Sequence, residues 1–122
     1  MIERMLDVIK SKRADTRLSQ PDMKAVVRCK KQKQDALLLN ISSYGVRFKT
    51  EAVYKTGEKL WFDITSNDEK PLLSVSIKGK IINDYGRSND NLNDYGAKFY
   101  SFRFINERES IHHYVHTHVH RL

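Results

Sequence analysis

The sequence predicts a mainly β domain in which six short antiparallel strands form a small barrel or a sandwich. Segments of alternating apolar and polar residues, typical of half-buried strands, follow one another between residues 23 and 104. No helical periodicity separates them, which argues against a parallel α/β fold. The length of 122 residues suits a single domain, 1–122, with one modest core.

The first 22 residues are predicted to hold a short helix and a basic loop. Four apolar residues recur at helical spacing within residues 2–10: Ile2, Met5, Leu6 and Ile9. Residues 11–22 show no periodicity, which indicates an irregular loop. Residues 1–33 contain ten basic and four acidic side chains, so they contribute +6 of the net charge of +7. This asymmetry suggests an anionic partner, although a solvated basic surface explains it as well.

The barrel itself is predicted to span residues 23–104. Its six strands are expected at 23–30, 35–41, 45–50, 59–65, 72–83 and 96–104. Gly79 lies within the fifth strand and is a candidate β-bulge. The tetrapeptide Asn-Asp-Tyr-Gly occurs at residues 83–86 and again at 93–96. We interpret the two copies as similar turn chemistry at both ends of a polar hairpin loop, because the spacing is too short for a structural repeat.

The C-terminal segment, residues 105–122, is predicted to be a helix that docks on the barrel. Asn106 and Glu109 have the spacing of a helix N-cap and its reciprocal partner. The apolar residues that follow lie on one arc of a helical wheel: Ile111, Tyr114, Val115, Val119 and Leu122. The buried side of this helix is therefore predicted from spacing alone.

Several classes of function lack support in the sequence. The single Cys29 cannot form an internal disulfide or a metal-binding thiolate pair. No apolar run approaches the ~20 residues that span a bilayer, and the N-terminus has no apolar signal-peptide core, so we expect a cytoplasmic protein without membrane insertion. No nucleophile–base–acid spacing or phosphate-binding loop is present, so we predict no catalytic residues and no enzyme activity.

The five histidines of the C-terminal segment raise the question of a metal site. His112, His116 and His120 would lie on one side of a helix, and a pair at this spacing can chelate Zn²⁺. No cysteine or aspartate lies nearby to complete a ligand set, so a solvated face is the simpler explanation and no metal is predicted. His118 falls within the apolar arc and is expected to pack.

Two short motifs point to an anionic ligand. Residues 40–45, Asn-Ile-Ser-Ser-Tyr-Gly, join two predicted strands through a polar turn. Asparagine and serine favour such turns, glycine tolerates positive φ, and the N–H groups of a turn can face a phosphate. Arg13 and Arg17 lie four residues apart in the basic loop, and a guanidinium forms a planar fork that fits phosphate oxygens or a guanine edge.

The order and spacing of these motifs resemble the PilZ domain, a bacterial receptor for cyclic di-GMP. The resemblance covers essentially the whole chain, and asparagine in place of aspartate at residue 40 lies within the family's pattern. It implies a six-stranded antiparallel barrel with a C-terminal helix. It also implies that Arg13 and Arg17 grip the phosphates and guanine edges from a loop that folds over the barrel. Lys12 is a weaker addition, because a basic residue there is associated in the family with a stacked pair of ligand molecules.

The second motif supplies the remaining roles that the resemblance implies. Asn40 would cap a guanine or sugar edge, Ser42 would bond a base or a phosphate, and Gly45 would permit close approach. The ligand has two phosphates and two guanines, which match the donors of arginine forks. Ligand binding is expected to order the loop and to change a surface that a protein partner recognises, in the control of motility or biofilm formation.

Two alternatives remain open from the residues alone. A small basic barrel could bind single-stranded nucleic acid through the same N-terminal region, a partner that we rank below cyclic di-GMP. An adaptor of the same fold could bind no nucleotide at all. No bound cofactor is predicted apart from the cyclic di-GMP ligand.

Overall fold

A computed structural model describes residues 16–68 and 72–119. Its elements are β1 (Leu18–Ser19), β2 (Met23–Cys29), β3 (Gln32–Ile41), β4 (Gly45–Thr50), β5 (Lys59–Ser66), β6 (Ser74–Arg87), β7 (Asn93–Phe102) and the helix α1 (Glu107–Val119). The predicted helix over residues 2–10 lies outside the described residues, as do Lys12 and Arg13. No helix within the described ranges is long and apolar enough to cross a membrane.

The six long strands close into an antiparallel barrel, as predicted. Neighbouring strands pair in the order β3-β2-β5-β6-β7-β4, and β4 pairs again with β3. This last pairing turns the sheet into a cylinder, which satisfies the backbone groups that an open sheet would leave at its edges. The two residues of β1 extend the sheet beside the end of β3, with Leu18 opposite Ile41 and Ser19 opposite Asn40.

Strand alternation fills the barrel with apolar side chains. Phe48, Phe62 and Phe99 are each no more than 1% exposed. The rings of Phe48 and Phe62 meet edge to face with centroids 5.2 Å apart, and those of Phe62 and Phe99 with centroids 6.1 Å apart. Such contacts add to the stabilisation that comes from removing these large side chains from water.

The predicted bulge lies beside Gly79 rather than at it: Lys78 is opposite Ser101 and Gly79 is opposite Phe99, so the extra residue is Tyr100 on β7. The register between β6 and β7 shifts between Lys78 and Gly79. A Cβ atom at residue 79 would lie 2.7 Å from Cε2 of Phe62, so the missing side chain also makes room for a core ring. The glycine at residue 79 therefore serves the packing of the core.

The interpretation of the repeated tetrapeptide as turn chemistry is wrong. The first copy lies within β6 and the second at the start of β7, where the two pair with each other; Asn83 is opposite Gly96, and Asp84 is opposite Tyr95. The turn comes later, at residues 88–92, where Asn91 adopts a φ of 63°. Cross-strand pairing has here overridden the weak strand propensity of asparagine, aspartate and glycine.

The helix docks on the barrel through its predicted arc, with Ile111, Tyr114 and Val115 buried. Asn106 occupies the predicted N-cap position, since the helix begins at Glu107 and the Asn106 carbonyl accepts a hydrogen bond from the Ser110 N–H at 3.0 Å. The predicted reciprocal side-chain bonds between Asn106 and Glu109 are not formed among the described residues. Glu107 anchors the start of the helix instead. Its Oε1 accepts a hydrogen bond from the Phe104 N–H at 2.7 Å, and its Oε2 accepts one from the Ser76 N–H at 3.1 Å. This buried carboxylate ties the helix to β6.

Candidate functional site

The polar turn between β3 and β4 is organised by Ser42. Its Oγ accepts hydrogen bonds from the N–H groups of Tyr44 and Gly45 at 3.1 and 3.2 Å, and its own N–H donates to the Gly45 carbonyl at 2.9 Å. Ser42 is fully buried. Its hydroxyl therefore has a clear role in shaping the turn, while a direct bond from it to a ligand stays a prediction.

The close approach of β7 requires a glycine at residue 45. A Cβ atom at residue 45 would lie 2.5 Å from the carbonyl oxygen of Ala97 in β7, closer than real Cβ contacts come. Its φ does not lie in the left-handed region, unlike that of Gly57 (92°) or Gly86 (88°). Close approach of β4 to β7 is thus what excludes a side chain here, and the positive φ considered from the sequence is not needed.

Arg17 and Asn40 join the two sequence motifs in space. Arg17 Nη1 donates to Asn40 Oδ1 at 2.7 Å, although the residues are 23 positions apart. The contact is made possible by β1, which lies beside the end of β3, and by a hydrogen bond of 2.8 Å from the Gln20 N–H to the Leu39 carbonyl. Arg17, the second arginine of the basic loop, therefore lies beside the start of the polar turn.

These two residues lie at the edge of a shallow pocket of about 190 Å³ on the outside of the barrel. Strands β3, β4, β6 and β7 contribute to it. The pocket is lined by Arg17, Asn40, Val46, Arg47, Ile82, Asn83, Tyr85, Gly96 and Ala97. The buried Ser42 and Gly45 are not among the lining residues, whereas Arg17 and Asn40 are.

Sequence reasoning missed Arg47 and Tyr85. Arg47 donates two hydrogen bonds to the carboxylate of Asp94, from Nε at 3.1 Å and from Nη2 at 2.9 Å. Its Cζ lies 4.2 Å from the centroid of the Tyr85 ring. These hydrogen bonds raise the pKa of Arg47 above its usual value, so the guanidinium is charged throughout the physiological range. Arg47 and Tyr85 form a cation–π contact in which the carboxylate of Asp94 holds the guanidinium against the ring.

A weak signal for both residues was present in the sequence. Arg47 is the outward residue between the inward Val46 and Phe48, and Tyr85 belongs to the first copy of the repeated tetrapeptide. Gly96, in the second copy, lies directly beside this tyrosine: a Cβ atom at residue 96 would be 3.3 Å from Tyr85 Cε2. The repeat thus places an exposed ring and a glycine that accommodates it on adjacent strands.

Three histidines of α1 make ring contacts within the helix. His112 and His116 have ring centroids 4.2 Å apart. His118 stacks on Tyr114 at 3.8 Å, and its Nδ1 lies 2.8 Å from the Tyr114 carbonyl oxygen, which confirms its predicted packing role. Within residues 16–68 and 72–119, no three histidine, cysteine, aspartate or glutamate side chains are grouped as metal ligands. His120 lies outside this part of the chain.

Comparison with known proteins agrees with the fold. The structure of the Bacillus subtilis inhibitor of motility (MotI/DgrA) superposes with a TM-score of 0.73 at 11% identity, covering 87% of this chain and 50% of that one. This chain therefore spans half the length of that inhibitor. The PilZ domain with c-di-GMP of YcgR from Escherichia coli superposes with a TM-score of 0.57 at 12% identity, covering 86% and 89% of the two chains. No curated protein matches this chain in sequence.

The family is shown by a match that does not depend on these distant superpositions. A model of the PilZ domain matches residues 11–116, which include the basic loop, all six long strands and most of α1. This agrees with the resemblance found in the two motifs and with the closed barrel that carries them. The chain belongs to the PilZ domain family.

Proposed function

We propose that this protein is a receptor or adaptor that binds cyclic di-GMP at the pocket between Arg17, Arg47 and Tyr85. The observation that carries the proposal is the hydrogen bond from Arg17 to Asn40, because it unites the two motifs at the rim of one pocket. The PilZ domain of YcgR, which superposes on this chain, has been solved with cyclic di-GMP. The family and the local geometry therefore favour the same ligand.

The chemistry of the pocket suits a nucleotide with phosphates and guanine bases. Arg17 is exposed and can exchange its bond to the neutral Asn40 amide for charge-assisted bonds to a phosphate or to the O6/N7 edge of guanine. The Asn40 amide then becomes available to a base or sugar edge. In this proposal Arg13 closes on the ligand from the basic loop, with Lys12 as a weaker contact.

Arg47 and Tyr85 supply a flat surface for a base. Tyr85 is 51% exposed and Arg47 is held against it by Asp94. A guanine that stacks on this surface gains contact with an aromatic face and a delocalised cation, neither of which needs to be ordered at the moment of binding. We assign to this pair the role of a preorganised stacking platform.

The output of binding is a changed surface for a protein partner. The ligand would bridge the basic loop and the barrel, so a segment of the chain takes up a new position when the pocket is filled. Control of motility or of biofilm formation is the class of output that we propose, acting in the cytoplasm and without catalysis.

Calorimetric titration with cyclic di-GMP tests the proposal. We expect saturable binding, with GTP and cyclic di-AMP much weaker, because adenine presents an N6 donor where guanine presents the O6 acceptor. Lys24→Ala is a matched control, since it removes one positive charge from β2, which contributes no residue to the pocket. Arg17→Ala should lower the affinity while Lys24→Ala should leave it unchanged.

The two alternatives make different predictions in the same assay. An adaptor that binds no nucleotide would give no heat of binding at high ligand concentration. A protein that binds single-stranded nucleic acid would form a stoichiometric complex with an oligonucleotide at physiological salt. Binding through a basic surface alone should fall steeply as salt is raised, because it depends on counterion release.

A further inference from the structure

Four lysines and two aromatic residues share the outer face of β5, β6 and β7, next to but distinct from the pocket described above. We call this surface the lysine face. It consists of Lys59, Trp61, Lys78, Lys80, Lys98 and Tyr100. Every member is exposed or half-buried.

Strand register sets three of these lysines side by side. Lys59 lies directly opposite Lys80, and Lys80 lies directly opposite Lys98 on the next strand. Like charges at directly opposite positions destabilise a sheet. Within residues 16–68 and 72–119, none of the lysines of this face forms an ion pair. The described part of the barrel thus carries an uncompensated repulsion, which an anionic partner would relieve.

Lysines of this face contact the rings of Trp61 and Tyr100, which lie among them. Lys78 Nζ lies 4.9 Å from the Trp61 ring centroid, and Arg28 Cζ lies 5.3 Å from it. Lys59 Nζ lies 5.6 Å from the centroid of Tyr100, which is 45% exposed. Between the two rings is a hollow of about 220 Å³. Tryptophan and tyrosine at the centre of a patch, with charges around them, is the arrangement of a protein-binding site.

We infer that the lysine face binds an acidic segment of a partner protein, with carboxylates on the lysines and one apolar or aromatic side chain in the hollow. Single-stranded nucleic acid fits less well, because its successive bases stack on several open rings, whereas this face has one exposed ring, Tyr100, and the Trp61 ring is half-buried. The inference does not depend on nucleotide binding. It does place the partner close to the polar turn, since Lys98 is directly opposite Gly45.

The test uses Trp61 as a built-in reporter, because it is the only tryptophan of the chain. The probe is a glutamate-rich peptide with a central phenylalanine, titrated at physiological salt while tryptophan fluorescence is recorded. We expect a saturable change, and weaker binding when the phenylalanine is replaced by alanine. The double variant Lys59→Glu and Lys78→Glu should bind at least about tenfold more weakly. The matched control, Lys31→Glu and Lys33→Glu, reverses the same charge on two exposed lysines elsewhere and should bind like the unmodified protein.

Three results would overturn the inference. The first is that the peptide does not bind the unmodified protein. The second is that it binds both double variants equally, and the third is that oligothymidylate binds the unmodified protein more tightly than the peptide does at the same salt concentration. A separate measurement tests the premise of repulsion. Lys80→Gln removes the central charge of the row and should raise the melting temperature by a few degrees without unfolding the protein. An unchanged or lowered melting temperature would count against the argument.

Discussion

Replacing Gly45 with alanine should strain the barrel at the point where the polar turn enters β4. The new Cβ atom would begin 2.5 Å from the Ala97 carbonyl oxygen, and ordinary contacts begin at 3.4 Å, so β4 and β7 must separate by about 0.9 Å. The obstacle is backbone, which cannot rotate away as a side chain can. The neighbouring hydrogen bond from the Phe99 N–H to the Tyr44 carbonyl, 2.8 Å long, would be stretched.

The size of the effect follows from three contributions to the free energy of unfolding. Inserting a methyl group into a packed site costs about 1–3 kcal/mol. Weakening one ladder hydrogen bond costs up to about 0.5–1.5 kcal/mol more. Alanine restricts the unfolded chain and so offsets about 0.4–1 kcal/mol. We expect the free energy of unfolding to fall by about 0.5–4 kcal/mol, the upper part of which is a large share of the total for a domain of this size.

Urea unfolding followed by circular dichroism measures this loss, with Gly96→Ala as the matched control. A Cβ atom at residue 96 would meet only side chains, the nearest being Tyr85 Cε2 at 3.3 Å, so the control should lose less than about 1 kcal/mol. Affinity for cyclic di-GMP should also fall in Gly45→Ala, because the turn is distorted. If Gly45→Ala unfolds at the same urea concentration as Gly96→Ala, close approach to β7 is not the reason for this glycine.

Three further predictions concern single side chains. Arg17→Ala should change the free energy of unfolding by less than about 0.5 kcal/mol but weaken cyclic di-GMP binding about tenfold or more; a folded variant with unchanged affinity would remove Arg17 from the site. Burial opposes ionisation of Asp63, but hydrogen bonds from Arg28 and Ser76 outweigh this effect and hold the pKa of Asp63 below its usual value. The ionised Asp63 therefore stabilises the fold above about pH 4, and this stabilisation is lost as the pH falls through the lowered pKa. Asp63→Asn should therefore show a shallower loss of stability in urea unfolding below about pH 4 than the unmodified protein; equal slopes would contradict this. Glu107→Ala should lower the free energy of unfolding by about 2–4 kcal/mol, because two backbone N–H groups lose their acceptor. Glu107→Gln keeps one acceptor oxygen, so its free energy of unfolding should fall by less in the same assay.

Much of the fold could be predicted from local patterns in the sequence. Alternation with a period of two marked the strands, and helical spacing marked the arc of α1 that includes Ile111 and Val115, because both patterns depend only on which side of an element faces the core. The two ligand-binding motifs could also be recognised from local sequence, since Arg17 and Asn40 each belong to a short segment with recognisable chemistry. Closure into a barrel agrees with these patterns, because a short sheet with one apolar side buries it by curling on itself.

The tertiary structure decided the features that depend on register between distant strands. Asp94 orients Arg47 against Tyr85 only because β4, β7 and β6 are neighbours with a particular pairing, which no single segment encodes. The row of lysines across β5, β6 and β7 arises in the same way. Gly45 excludes a side chain because another strand passes within contact distance. A shift of one residue in any of these pairings would point every side chain of that strand to the other face. Sequence periodicity determines which residues face outward, and only the pairing of the closed barrel determines which outward residues meet.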